Sequence, residues 1–111
     1  MIEIVEVTTT VDSEQAAASL AKQIVTARLA ACVQINGPLL SIYRWQGQVC
    51  EAHEWRCTIK TLASAAAQLI DFIEEHHPYE VPEVLVIGIQ SSAAQYAQWL
   101  AEQVDEASKD D

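Results

Sequence analysis

The chain of 111 residues is long enough for one domain, and its 50% hydrophobic content excludes a disordered protein. Sixteen acidic and six basic side chains give a net charge of −10, which disfavours binding to nucleic acid or to an anionic membrane surface. The three cysteines form no CxxC motif, which argues against a disulfide framework. Because signal-peptide and membrane-span patterns are also absent, we expect a cytoplasmic protein with a single domain over 1–111 and a frayed acidic tail over 105–111.

The first third of the chain predicts a strand, a helix and a second strand. Residues 2–9 are rich in β-branched side chains, which are typical of a strand. Asp12 and Ser13 are suitable N-cap residues for a helix, and Asn-Gly-Pro at 36–38 predicts a bulge or bend within the next strand. The apolar positions of this helix follow a 3.6-residue period: Ala17, Leu20, Ala21, Ile24 and Ala27.

The rest of the chain predicts a long β-hairpin, a helix, a strand and a third helix. The hairpin covers 39–60, with its tight turn at Gln46-Gly47. The second helix ends at His76-His77, before a proline. Residues 84–89 predict a strand, after which Ser91 or Ser92 is expected to cap the third helix.

This β-α-β-β-α-β order with a terminal helix predicts an α+β, ferredoxin-like split βαβ fold, in which two helices cover one face of an antiparallel sheet. The run from Val84 to Ile87 has no polar face, so we expect it to be buried on both sides. An oligomer would provide the second cover. The hairpin exceeds the usual strand length of ~5–6 residues and is suited to clasping a neighbouring chain.

The densest cluster of side chains that can bind a metal lies between His76 and Glu83. Imidazole and carboxylate groups suit Zn²⁺ or Cu²⁺, and two prolines stiffen the segment. A structural alternative stays open, because histidines in the last turn of a helix also interact favourably with its dipole. Adjacent histidines point ~100° apart on a helix, so they do not form a simple chelate.

The cysteines are expected to be structural thiols. Cys50 and Cys57 lie seven residues apart on one predicted strand, which places them on opposite faces. We expect Cys32 to be buried and Cys50, near the hairpin tip, to react first. The sequence contains no nucleophile elbow, P-loop, GxGxxG or HExxH motif, so we expect a protein without catalytic activity.

Four motifs together resemble the CutA divalent-cation tolerance family, in the same order along the chain. They are Thr-Ala-Arg-Leu-Ala-Ala-Cys-Val-Gln-Ile at 26–35, the hairpin segment Ser-Ile-Tyr-Arg-Trp-Gln-Gly at 41–47 with Glu-Trp at 54–55 and Lys-Thr at 60–61, His-Pro-Tyr-Glu-Val-Pro-Glu at 77–83, and Tyr-Ala-Gln-Trp-Leu at 96–100. The resemblance covers residues 3–101.

The resemblance implies a homotrimer built through the long hairpins, similar in architecture to the PII signalling proteins. It also implies binding of copper, or of zinc or another divalent metal, and no organic cofactor. The implied metal ligands are His76, His77 and Glu83, and the implied interface or hairpin residues are Tyr43, Trp45, Trp55, Lys60 and Tyr79. Some members carry a cysteine where this chain has Thr8, which removes a thiolate from the site. Lys60 is a candidate partner for Glu80 or Glu83.

Two main hypotheses follow. In the first, the protein is a non-catalytic trimer that binds a transition metal and contributes to cation tolerance. In the alternative, it is a PII-like regulatory module that binds a small effector or a partner protein at clefts between subunits. A third interpretation is a scaffold in which the histidines only cap a helix.

Overall fold

Four strands, three α-helices and one 3₁₀ turn follow each other in the predicted order in the computed structural model, which describes residues 1–105. Their bounds are β1 (Ile4–Val11), α1 (Glu14–Thr26), β2 (Cys32–Trp45), β3 (Gln48–Leu62), a 3₁₀ turn (Ala63–Ala65), α2 (Ala66–His76), β4 (Leu85–Gly88) and α3 (Ala94–Gln103). The strands form one antiparallel sheet in the order β2-β3-β1-β4. The predicted ferredoxin-like fold is therefore confirmed.

The first and third helices begin differently. Ser13 caps α1 as predicted, because its Oγ accepts a hydrogen bond from the Ala16 N–H at 3.0 Å. The prediction that Ser91 or Ser92 caps α3 is wrong. Ala93 is the N-cap residue there, and no side chain bonds to the first turn. A capping side chain has to stand immediately before the first helical residue, and both serines precede that position.

The hairpin carries the predicted bulge and turn. Between Asn36 and Leu39, β2 has one residue more than the opposing stretch of β3. Gln46 and Gly47 both have positive φ angles, 51° and 78°, as a two-residue turn of this kind requires. The backbone of Gly37 lies against the indole of Trp55, which leaves no space for a side chain at that position. The bulge and the indole therefore fit together.

The main core lies between one face of the sheet and helices α1 and α2. Odd-numbered residues of β1 and β3 face these helices, as their strand register requires. The largest fully buried side chains of this core are Val7, Val11, Ile24, Ile59, Leu69 and Ile73. Helix α3 covers one end of the opposite face, where Leu100 and Val104 pack with Ile4. No other helix of residues 1–105 packs on that face.

The part of this sheet face beyond α3 is not the apolar surface that the sequence predicted. Its centre is polar, with Glu6 opposite Lys60 and Thr8 opposite Thr58. Exposed apolar side chains lie instead on the outer half of the hairpin and on β4, where Leu85 is 53% exposed. Residues 84–87 are thus not buried on both sides within one protomer, because β4 is an edge strand that pairs only with β1.

Asp105, the first residue of the predicted frayed tail, is held in place by hydrogen bonds to Arg28. Asp105 donates its backbone N–H to the Arg28 carbonyl oxygen at 3.0 Å, and its carboxylate accepts from Arg28 Nε at 2.8 Å. Arg28 also donates to the Glu102 carbonyl oxygen. Residues 106–111 of the predicted tail lie outside the described residues.

Cys57 is less accessible than the other two thiols, and this predicts that it reacts last. Cys57 is fully buried, and burial raises the pKa of its thiol to about 11. Cys32 is only partly buried, with Sγ 3.7 Å from the Tyr96 hydroxyl, so the prediction that it is buried is wrong. It lies on the sheet face that only α3 covers. We expect Cys57 to react at least about tenfold more slowly than Cys50 with a thiol reagent in the native protein. Equal rates in a mass-resolved labelling experiment would contradict this.

Candidate metal ligands and the hairpin cleft

His76 is the last residue of α2 and has an exposed, well-positioned ring. The ring stacks on Phe72, with centroids 4.0 Å apart and planes inclined by 20°. Its Nδ1 lies 2.8 Å from the Phe72 carbonyl oxygen. Because a carbonyl only accepts, Nδ1 carries the proton and donates it. Nε2 of the neutral ring therefore keeps its lone pair, which is the electron pair a metal ion needs.

His77 has both ring nitrogens in hydrogen bonds. Nε2 lies 2.8 Å from the Thr10 carbonyl oxygen and must donate, and Nδ1 accepts from the Tyr79 N–H at 3.0 Å. Burial lowers the pKa of His77, although the Thr10 carbonyl and the charges of Asp12 and Glu54 act in the opposite direction. The ring thus fastens the segment after α2 to β1 and has no free lone pair for a metal.

Tyr79 extends this attachment to the hairpin. Its hydroxyl donates to Glu54 Oε2 at 2.7 Å, and its ring meets that of His77 edge to face, with centroids 4.8 Å apart. Burial, followed by the hydrogen bond and charge of Glu54, raises the pKa of the Tyr79 hydroxyl above its usual range. The phenol therefore stays protonated and keeps Glu54 in place.

A cleft of about 710 Å³ opens between the outer half of the hairpin and the segment 79–83. We call it the hairpin cleft. It is lined by Asp12, Ser41, Ile42, Tyr43, Trp45, Ala52, Glu54, Tyr79, Glu80, Val81 and Glu83. Its volume is typical of a small-molecule site, for which ~300–1,000 Å³ is usual.

The predicted metal ligands do not converge in one protomer. Glu83 lines the hairpin cleft, whereas His76 and His77 do not. No group of three or more His, Cys, Asp or Glu side chains within residues 1–105 is placed to hold a metal ion. Thr8, which stands where some family members carry a cysteine, lies in β1 between Thr58 and Leu85. A closed site with three or four protein ligands therefore does not fit a single chain.

The predicted interface and hairpin residues fall into two groups. Tyr43 and Trp45 are each 44% exposed and line the hairpin cleft together with Tyr79. Trp55 instead packs against the main core. Lys60 donates to the Gln34 side-chain oxygen rather than binding Glu80 or Glu83. Four of these five residues (Tyr43, Trp45, Trp55 and Lys60) belong to the hairpin motif, yet they lie on different surfaces.

Sequence reasoning missed two acidic residues of the cleft. The sequence indicated only a helix cap at Asp12 and only a position in the hairpin motif at Glu54. Glu54 stands beside Trp55 in the hairpin motif, and the strand alternation places it on the opposite face from the indole. That alternation was the available signal. The Thr10 carbonyl that holds His77 has no signature in the sequence.

A ferredoxin-like sheet extended by a long hairpin, with a histidine-ended helix beside it, defines the structural class. The family model described as CutA1 divalent ion tolerance protein matches residues 5–103. The chain belongs to this family. It is 44% identical over 93 residues to the divalent-cation tolerance protein CutA of Thermus thermophilus, covering 84% of this chain and 90% of that protein.

Solved structures agree with this membership. The CutA1 structure from Oryza sativa superimposes with a TM-score of 0.93 at 33% identity, covering 96% of this chain and 97% of that chain. The CutA structure from Archaeoglobus fulgidus has a TM-score of 0.89 at 28% identity, covering 92% and 99%, and its name describes that protein as periplasmic. Within residues 1–105, no helix is both long and apolar enough to span a membrane.

Proposed function

We propose that the protein is a non-catalytic, homotrimeric divalent-cation tolerance protein of the cytoplasm that binds a transition metal ion, copper(II) before zinc. The assignment to divalent-cation tolerance rests on membership of the family, whose members are named for tolerance of divalent ions. The observation that carries the metal assignment is the free Nε2 of the exposed, stacked His76 ring. Copper(II) comes first because nitrogen and oxygen ligands bind it more tightly than zinc.

One protomer alone supplies too few ligands to complete the proposed metal site. His76 supplies one imidazole, and Glu83 is proposed as a carboxylate ligand from the same or a neighbouring chain. His77 would have to give up its bonds to Thr10 and Tyr79 to coordinate, so its proposed contribution is to position the segment that follows. A bound divalent ion would supply positive charge, and the remaining coordination positions would be filled by water or by another protomer.

We expect His76→Ala to weaken Cu²⁺ binding at least about tenfold, because it removes the only proposed nitrogen ligand. His53→Ala is the matched control, since this imidazole is also exposed but lies on β3. Calorimetric titration measures both variants. Affinity should also fall as the pH is lowered, because metal ligands have to be deprotonated to bind. A His76→Ala protein that binds Cu²⁺ like the parent would overturn the assignment.

The trimer is supported by exposed apolar side chains at two places. The hairpin exposes Leu40 and Val49, neither of which lines the hairpin cleft, and β4 exposes Leu85, Val86 and Ile87. Light scattering should give three times the 12.2 kDa mass of one chain. Leu85→Asp should dissociate the assembly, because a carboxylate at a buried apolar contact is costly. Val25→Asp on α1, a comparably exposed position, should leave the mass unchanged. A monomeric parent protein would contradict the proposal.

The hairpin cleft favours a second candidate function, that of a PII-like module that binds a small effector. A cleft of about 710 Å³ beside the hairpin is large enough for such a ligand. It contains none of the three histidines, so His76→Ala separates this function from metal binding, whereas Glu83 belongs to both proposed sites.

A further inference from the structure

The hairpin cleft presents charge of a single sign. Four of its lining residues are acidic: Asp12, Glu54, Glu80 and Glu83. No Lys, Arg or His of residues 1–105 lines it. A cleft lined by one sign of charge concentrates ions of the opposite sign, and the whole chain carries a net charge of −10. The occupant that matches this cleft is therefore positively charged.

The cleft also offers aromatic and aliphatic surface that a bare metal ion would not use. Tyr43, Trp45 and Tyr79 contribute rings, and Ile42 and Val81 are 62% and 64% exposed. An ammonium group is attracted to the face of an aromatic ring, and methylene groups gain by leaving water against apolar side chains. These surfaces favour an organic cation over a hydrated metal ion.

One carboxylate of the cleft is held in place before any ligand arrives. Glu54 Oε2 accepts the hydrogen bond from Tyr79, whose own segment is fastened to β1 through His77. Within residues 1–105 no hydrogen bond is made to Glu54 Oε1, so this oxygen is left to accept one from a ligand. A preorganised acceptor lowers the cost of ordering the site on binding.

We propose that the hairpin cleft binds an aliphatic polyamine, with its ammonium groups against the carboxylates and its methylene groups against the aromatic rings. Several positive charges spaced along an apolar chain match several carboxylates distributed around apolar walls. This inference deepens the second candidate function by naming its ligand class. It does not require a metal ion at His76, which lies outside the cleft, although Glu83 is shared by the two proposed sites.

The test is a calorimetric titration of the full-length protein with spermidine at physiological ionic strength. The variant Glu54→Gln/Glu83→Gln removes two cleft charges, and Gln at position 54 keeps an oxygen that can accept the Tyr79 hydroxyl. Glu51→Gln is the matched control, because Glu51 is exposed on the same hairpin but does not line the cleft. We expect the double variant to bind about tenfold more weakly and the control to bind like the parent.

A fluorescence titration gives an independent readout. Trp45 lines the cleft, whereas Trp99 lies on α3 and is similarly exposed. We expect spermidine to change the emission of the parent and of Trp99→Phe but not that of Trp45→Phe. A response that survives in Trp45→Phe and disappears in Trp99→Phe would overturn the proposal.

Three further outcomes would overturn it. The first is no spermidine binding at millimolar concentration, which includes the case of a neighbouring copy covering the cleft. The second is equal weakening by Glu51→Gln, which would indicate only the general acidity of the surface. The third is equally effective competition by Mg²⁺, which would indicate a site for hard metal ions. His76→Ala is expected to retain spermidine binding and to bind Cu²⁺ at least about tenfold more weakly, so failure of either proposal is recognised separately.

Discussion

Gly37→Ala is expected to lower the free energy of unfolding by about 1–3 kcal/mol, the usual cost of forcing an extra methyl group into a packed site. A Cβ at this position would collide with Cδ1 of Trp55 and lie 2.6 Å from its Cγ. These atoms are close to the root of the side chain, and the indole packs against the main core. The ring therefore cannot turn away without losing its own burial.

Denaturant unfolding at a fixed protein concentration measures this effect. Gly88→Ala is the matched control, because a Cβ there meets no atom within 4 Å in the protomer. If the indole is the cause, Trp55→Ala should reduce the additional cost of Gly37→Ala, which a double-mutant cycle detects as coupling. Equal destabilisation by the two glycine substitutions would contradict this explanation.

His77→Ala is expected to destabilise the protein by about 1–3 kcal/mol, because it leaves the Thr10 carbonyl and the Tyr79 N–H without their partner. Thr10 is only 6% exposed, so water does not readily replace the lost bond. The adjacent His76→Ala is the control. His76 is exposed and bonds only to a carbonyl of its own helix, so its effect should stay within about 0.5 kcal/mol.

The same residue predicts how stability depends on pH. The pKa of His77 is lower in the folded than in the unfolded protein, chiefly through burial. The unfolded chain therefore takes up a proton first, at its ordinary pKa of ~6.5. The stabilising contribution is fully present above that pH and is lost as the pH falls through the lower folded pKa.

Unfolding experiments between about pH 7 and 5, with a chelator present, measure this loss. The parent protein and His76→Ala should both become less stable across this range, and His77→Ala should show a smaller change. The hydrogen bonds of His77 also predict a loss of stability at lower pH, because a protonated ring could no longer accept the Tyr79 N–H at Nδ1. Identical pH profiles for His77→Ala and the parent would contradict this role.

The fold could be predicted because its main signals are local. Ser13 before an apolar 3.6-residue period, Gln46-Gly47 between two strands, and the bulge at residues 36–38 each indicate their structure from neighbouring residues alone. The prediction of the α3 cap failed because Ser91 and Ser92 are both suitable N-cap residues by type. Only the backbone path shows that Ala93 occupies the N-cap position. Local patterns thus located the elements better than they located their ends.

The candidate site was less predictable because it depends on contacts between distant residues. The sequence indicated His76 and His77 as equal candidates, yet the Thr10 carbonyl, 67 residues earlier, engages one ring while the other keeps a free nitrogen. Glu83 was grouped with the histidines by proximity in the chain, whereas the bend after α2 directs it to the hairpin cleft. No periodicity or composition carries such information.

The position of β1 between β3 and β4 has a consequence for synthesis on the ribosome. The first strand to be made pairs with neither of its neighbours until residues 55–62 and then 85–88 have been translated. The β2–β3 hairpin, by contrast, closes over a two-residue turn and can form in microseconds once its second strand has emerged. We therefore expect the nascent chain to build its sheet outward from the hairpin, with β1 remaining unpaired for roughly half of translation.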